Sequence, residues 1–95
     1  PSQPNYLALF SGSTQGVTRN SCPHQFVGNN LATALLDANL SFASYSESLP
    51  VTGDISCMYG PYQRKHNPMV NWQDTRLPAT MNQRFADFPF DYEQL

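Results

Sequence analysis

Apolar and polar positions follow two clear rhythms in the middle of the chain. Over residues 30–40, Leu31, Ala34, Leu35 and Ala38 recur at the three-and-four spacing of one helix face. Asn29 or Asn30 stands where an N-cap belongs, and Asn39 where helices often end in a left-handed residue. The next stretch, LSFASYS over residues 40–46, changes to period two. Leu40, Phe42 and Ser44 alternate with Ser41, Ala43 and Tyr45, which predicts a strand. A helix running into a strand is half of a wound α/β unit. A shorter apolar run over residues 6–10 also reads as helix. Pro4 suits a first helical turn, where its missing N–H costs nothing, and Gly12 is a natural terminator.

The remaining stretches read mostly as turns. Residues 13–20 are polar with Gly16 as the flexible point, and residues 21–30 form a loop. Residues 49–59, with Pro50, Gly53 and Cys57, are irregular. Pro68 keeps Asn67 extended, and residues 69–72 begin a short helix or turn in which Trp72 packs. Near the end, Phe85, Phe88, Phe90 and Tyr92 are expected as packing anchors, with Phe85 and Phe88 on one helical face.

Composition narrows the class. Ninety-five residues suit at most one small domain, and 40% hydrophobic with 13% aromatic content is not a disordered composition. Only 13% of residues are charged, which is low for a free-standing surface and suggests that further chain or a partner covers part of it. The chain starts at Pro1 and has neither a signal-like apolar segment nor a run long enough to span a membrane. It reads as a piece cut from a longer polypeptide. A net charge of −2 argues against nucleic acid as a partner and against a base-stacking role for the aromatics.

Two stretches hold candidate chemistry. Ser2 lies at the start of the first helix, where unpaired N–H groups and the helix dipole favour an anion and a nucleophile; the plainer alternative is a helix cap. Arg64, Lys65 and His66 are consecutive in a chain with five Lys plus Arg. On regular structure at most two of them can face one ligand. A cation and an imidazole near a phosphate would stabilise its oxygens and move a proton. The plainer alternative is a solvated basic loop. His24 is a minor candidate, and Glu47 and Asp54 read as solvated acids. Cys22 and Cys57 do not form a metal-type CxxC pair, and they are either disulfide-bonded in an exported protein or two buried thiols. There are no repeats, and no Walker loop, GxSxG elbow or HExxH motif is present.

The segment PSQPNYLALFSGSTQGV resembles the nucleophile segment of the alkaline-phosphatase-like superfamily of phosphoesterases. The matching positions are Ser2, Pro4, Asn5, Ser11, Gly12, Gly16 and Val17. SFASYSESLP and YQRKHNPMVNW look like its branch of bacterial acid phosphatases and phospholipase C-like phosphoesterases, so the resemblance spans nearly the whole chain. It implies an α/β fold, with a mainly parallel sheet flanked by helices and many loops. It makes residues 1–95 a partial catalytic domain whose partner is the remainder of the parent chain. Ser2 becomes the phosphoryl acceptor and a metal ligand. His66 becomes the second catalytic residue, on the phosphate or leaving-group side. Asn5, Asn20, Arg64 and Lys65 become substrate-binding residues, Asn20 competing with a plain role in its turn. Divalent metal ions are implied, with most ligands drawn from an upstream Glu-Asn pair and downstream acidic and His residues that are not in this chain. The implied substrate is a phosphomonoester, or alternatively a phospholipid head group or other phosphodiester. Export of relatives tilts Cys22 and Cys57 towards a disulfide. The competing class is a noncatalytic module that keeps the family shape.

Overall fold

In a computed structural model of the chain, which describes residues 1–91, the first helix is α1, Ser2–Ser11. It turns Gln3, Leu7 and Phe10 inward and ends at Gly12, whose left-handed φ of 76° lets its N–H return to Ala8 O. Helix α2, Leu31–Asp37, opens on a capping box: Asn30 Oδ1 accepts from Thr33 N while Asn30 N donates to Thr33 Oγ1. Asn39 adopts the expected positive φ.

The buried face of α2 is not the expected one. Ala32 and Thr33 are buried and Leu36 is half-buried, while Leu31 and Ala34 are exposed. LATALL is apolar almost all round, so spacing alone could not select the face. The strand expected over residues 40–46 is shorter too. β1 is Ser44–Ser46, and residues 40–43 lie outside any ladder.

β2 (Met58–Tyr59) and β3 (Tyr62–Gln63) form an antiparallel hairpin across Gly60 and Pro61. β1 pairs in parallel with β4, Asn82–Arg84, with Ser44 opposite Asn82. The α/β class therefore holds, with one small parallel ladder, an added hairpin and much loop. Short 3₁₀ turns occupy Arg64–His66, Pro68–Trp72, Ala79–Met81 and Phe85–Asp87.

The core gathers Leu7 and Phe10 of α1, Val17, Ala32 of α2, and Met69, Val70, Trp72 and Leu77. Trp72 is fully buried between Phe10 and Phe26, with ring centroids 5.5 and 5.2 Å away. Beside this core runs a polar spine. Asn67 donates to Tyr62 Oη and Asn82 Oδ1, Asn82 donates to Gln73 Oε1, and Gln73 donates to Gly53 O. Irregular backbone leaves carbonyls without ladder partners, and these buried amides supply them. Cys22 and Cys57 form a disulfide with Cα atoms 5.9 Å apart. Of the expected aromatic anchors, Phe88 packs edge-on against Tyr45 and meets the rings of Phe85, which stacks on it, and Phe90; Phe85 and Phe90 are otherwise exposed, and Tyr92 lies outside the described residues.

Candidate functional site

Pro1 caps α1, so Ser2 is a first-turn residue whose hydroxyl makes no cap bond. Packing of α1 against the segment from Arg64 to Trp72 brings it to His66. Ser2 Oγ and His66 Nε2 lie 3.2 Å apart across 64 positions of sequence. The His66 ring also rests 5.4 Å from the Tyr6 ring, one helical turn below Ser2. An imidazole at this distance can accept the hydroxyl proton when its Nε2 is unprotonated.

The start of α1 is tied down by two crossed hydrogen bonds. Gln3 N donates to Asn20 Oδ1 at 3.0 Å, and Ser21 N donates to Gln3 Oε1 at 2.6 Å. Asn20 is therefore a long-range cap on α1 rather than a residue of its own turn. Its Oδ1 is engaged, which leaves the Nδ2 protons as donors. Among the first backbone groups of α1, Pro4 has no N–H and that of Gln3 is used. The dipole remains, and the N–H of Ser2 together with nearby side chains is left to bond an anion there.

Arg64, Lys65 and His66 diverge, as one tight turn demands. Arg64 is buried and faces inward; its Nη1 donates to Ile55 O at 2.8 Å and its Nη2 to His24 O at 2.6 Å. Burial pulls its guanidinium below its usual pKa. Lys65 is half-buried and lines a cavity of about 220 Å³ with Asn20, Ser21, Gln63 and the disulfide. His66 is exposed. Asn5 lines a shallow depression with Ser2, Tyr6 and Leu9. Ser2, Asn5 and His66 thus meet at the start of α1, Asn20 closes that start and shares a separate cavity with Lys65, and Arg64 joins the scaffold.

His24 bonds Ser21 Oγ at 2.7 Å and stacks on Phe26. Asp54 is engaged by Ser56 N and Oγ. Glu47 is exposed and lines a cavity that also includes His66. Sequence reasoning passed over Gln3 and Tyr6. Gln3 had no signal, and Tyr6 was hidden in an apolar run. Among the described residues no group of three or more His, Cys, Asp or Glu is placed to hold a metal ion.

Comparison with known proteins gives a consistent picture. The model of the phosphoesterase family matches residues 1–95. A phosphatidylinositol-3-phosphatase of Mycobacterium tuberculosis is 44% identical over 90 residues, covering 94% of this chain and 29% of that protein. A phosphate-repressible acid phosphatase of Penicillium chrysogenum is 32% identical over 100% of this chain and 24% of its own length. An acid phosphatase of Aspergillus fumigatus is 29% identical over 93% of this chain and 22% of its own length. The chain spans less than a third of the length of each of these relatives. No solved structure matches it significantly.

Proposed function

This chain belongs to the phosphoesterase family, and on that premise we propose that it is part of the catalytic domain of a phosphate-ester hydrolase in which Ser2 accepts the phosphoryl group. The reading rests above all on the 3.2 Å approach of Ser2 Oγ to His66 Nε2. His66 takes the hydroxyl proton as Ser2 Oγ attacks phosphorus. The bond from phosphorus to the ester oxygen breaks, that oxygen takes up a proton from solvent and leaves as the alcohol, and a phosphoserine remains for water to hydrolyse. Asn5, the Nδ2 of Asn20 and Lys65 hold the phosphate oxygens, and the positive end of α1 favours their charge. Arg64 supports the site from behind by fixing the turn that presents His66.

The resemblance also implies divalent metal ions, which would polarise the phosphate and lower the pKa of the attacking hydroxyl. Among the described residues Ser2 Oγ has no acidic or His cluster around it that fits a metal centre. We propose that the remaining ligands belong to other parts of the full-length protein. The substrate is a phosphate monoester on a small molecule, a reading supported by the acid phosphatase names of two relatives. The disulfide is compatible with an exported protein.

In the full-length protein, Ser2→Ala should lower phosphatase turnover at least about 10³-fold and abolish a covalent phosphoenzyme trapped by acid quench. His66→Ala should lower kcat about 10²–10⁴-fold. Wild-type turnover in Ser2→Ala would overturn the assignment of the nucleophile.

A further inference from the structure

Besides meeting Ser2, His66 lines a cavity of about 310 Å³ with Tyr45, Ser46, Glu47, Tyr62, Gln63 and Asn67. That volume is in the range of small-ligand pockets. The lining is rich in hydroxyl and amide groups, contains no Lys or Arg, and has one carboxylate, Glu47.

Part of the wall is preorganised. Tyr62 is buried, and its hydroxyl accepts from Asn67 Nδ2 at 3.2 Å, so its own proton remains to donate. Asn67 is held in turn by Asn82 Oδ1 at 2.9 Å and Ser44 Oγ at 3.2 Å. Burial raises the Tyr62 pKa and keeps that hydroxyl protonated. Glu47 is exposed and makes no ion pair among the described residues. Its carboxylate is thus open to accept hydrogen bonds from a ligand.

This inference rests on the reading of Ser2 and His66 given above. We propose that the cavity is the leaving-group subsite, that it takes a neutral polyhydroxyl alcohol, and that Glu47 selects against alcohols bearing a second phosphate. An alcohol rich in hydroxyls meets acceptors and donors on several walls. An alcohol bearing another phosphate meets a like charge and no Lys or Arg in the wall. A long acyl chain would find too little apolar wall.

The test compares two substrates on one enzyme, so the fraction of folded protein cancels. In the full-length protein, kcat/KM for glucose 6-phosphate should exceed that for fructose 1,6-bisphosphate by about tenfold, an effect the size of one charge-assisted contact. Glu47→Gln should bring the ratio to within about twofold, because the repulsion is gone. A ratio unchanged in Glu47→Gln, with turnover still dependent on Ser2, would overturn the subsite and leave the nucleophile reading intact. Turnover that survives Ser2→Ala would remove the underlying reading, and the subsite with it.

Discussion

Tyr62 and Arg64 sit two positions apart and brace the same turn by different means. Arg64 binds carbonyls from two distant loops, Ile55 and His24. Tyr62 is held by Asn67 and is almost fully buried. Its pKa is raised above 10.0, first by burial, with the Asn67 hydrogen bond and Arg64 working against that shift. In the unfolded chain the phenol ionises at its ordinary value, while in the folded chain it holds its proton longer. Its contribution to stability is therefore fully present below pH 10 and is lost as pH rises through the higher folded value. Urea denaturation of Tyr62→Phe should show less loss of stability above pH 10 than the parent, although the variant starts lower because Asn67 loses an acceptor. An equal alkaline loss in both proteins would contradict the assignment. His66, exposed in the same turn, was legible as a candidate from the basic cluster only together with the family resemblance, since the cluster by itself reads as a solvated loop. That Arg64 would face inward was not, because three consecutive side chains diverge in a way that only packing resolves.

Among the elements, α1 and α2 were legible because their boundaries are chemical. Gly12 ends the first, and Asn30 with Thr33 opens the second. The β2–β3 hairpin was not, since two-residue strands are too short to express a period. Its lower strand adjoins Cys57, whose bond to Cys22 spans 35 positions and ties the hairpin to the loop before α2. Breaking it by Cys22→Ser with Cys57→Ser should cost about 4 kcal/mol in the chain-entropy picture. The check is a comparison of thermal midpoints with and without reductant in the parent and in the double variant. The parent should fall on reduction and the variant should not move; a parent indifferent to reductant would sink the expectation.

Over the whole molecule, apolar side chains stand exposed on several faces. Leu9 is 81% exposed, Phe90 78% and Val27 74%. Scattered single apolar residues are ordinary, but Met58 and Tyr59 on the hairpin and the ring cluster of Phe85 and Phe90 on Phe88 stand exposed on a surface poor in charge. We propose that other parts of the full-length protein cover these faces. Residues 1–95 expressed alone should then bind a hydrophobic dye and self-associate at micromolar concentration, and the full-length protein should do neither. A monomeric piece that binds no dye in sizing and fluorescence experiments would contradict this.

What the sequence determined by itself was local and chemical. A Ser before Pro-Asn at a helix start, a capped apolar heptad, a basic turn before Pro68 and a family-wide motif set can all be read from neighbours in the chain. Tertiary structure alone decided the long-range matters: which face of α2 is buried, how far β1 extends, that Asn20 closes the start of α1, and that Ser2 and His66, which the resemblance assigns to one site, come within hydrogen-bond distance. The reason is physical. A helix apolar all round and a strand of mixed polarity satisfy several packings equally in isolation. Only the positions of Trp72, Phe10 and the buried amides select one, because every carbonyl of so irregular a backbone must find its donor.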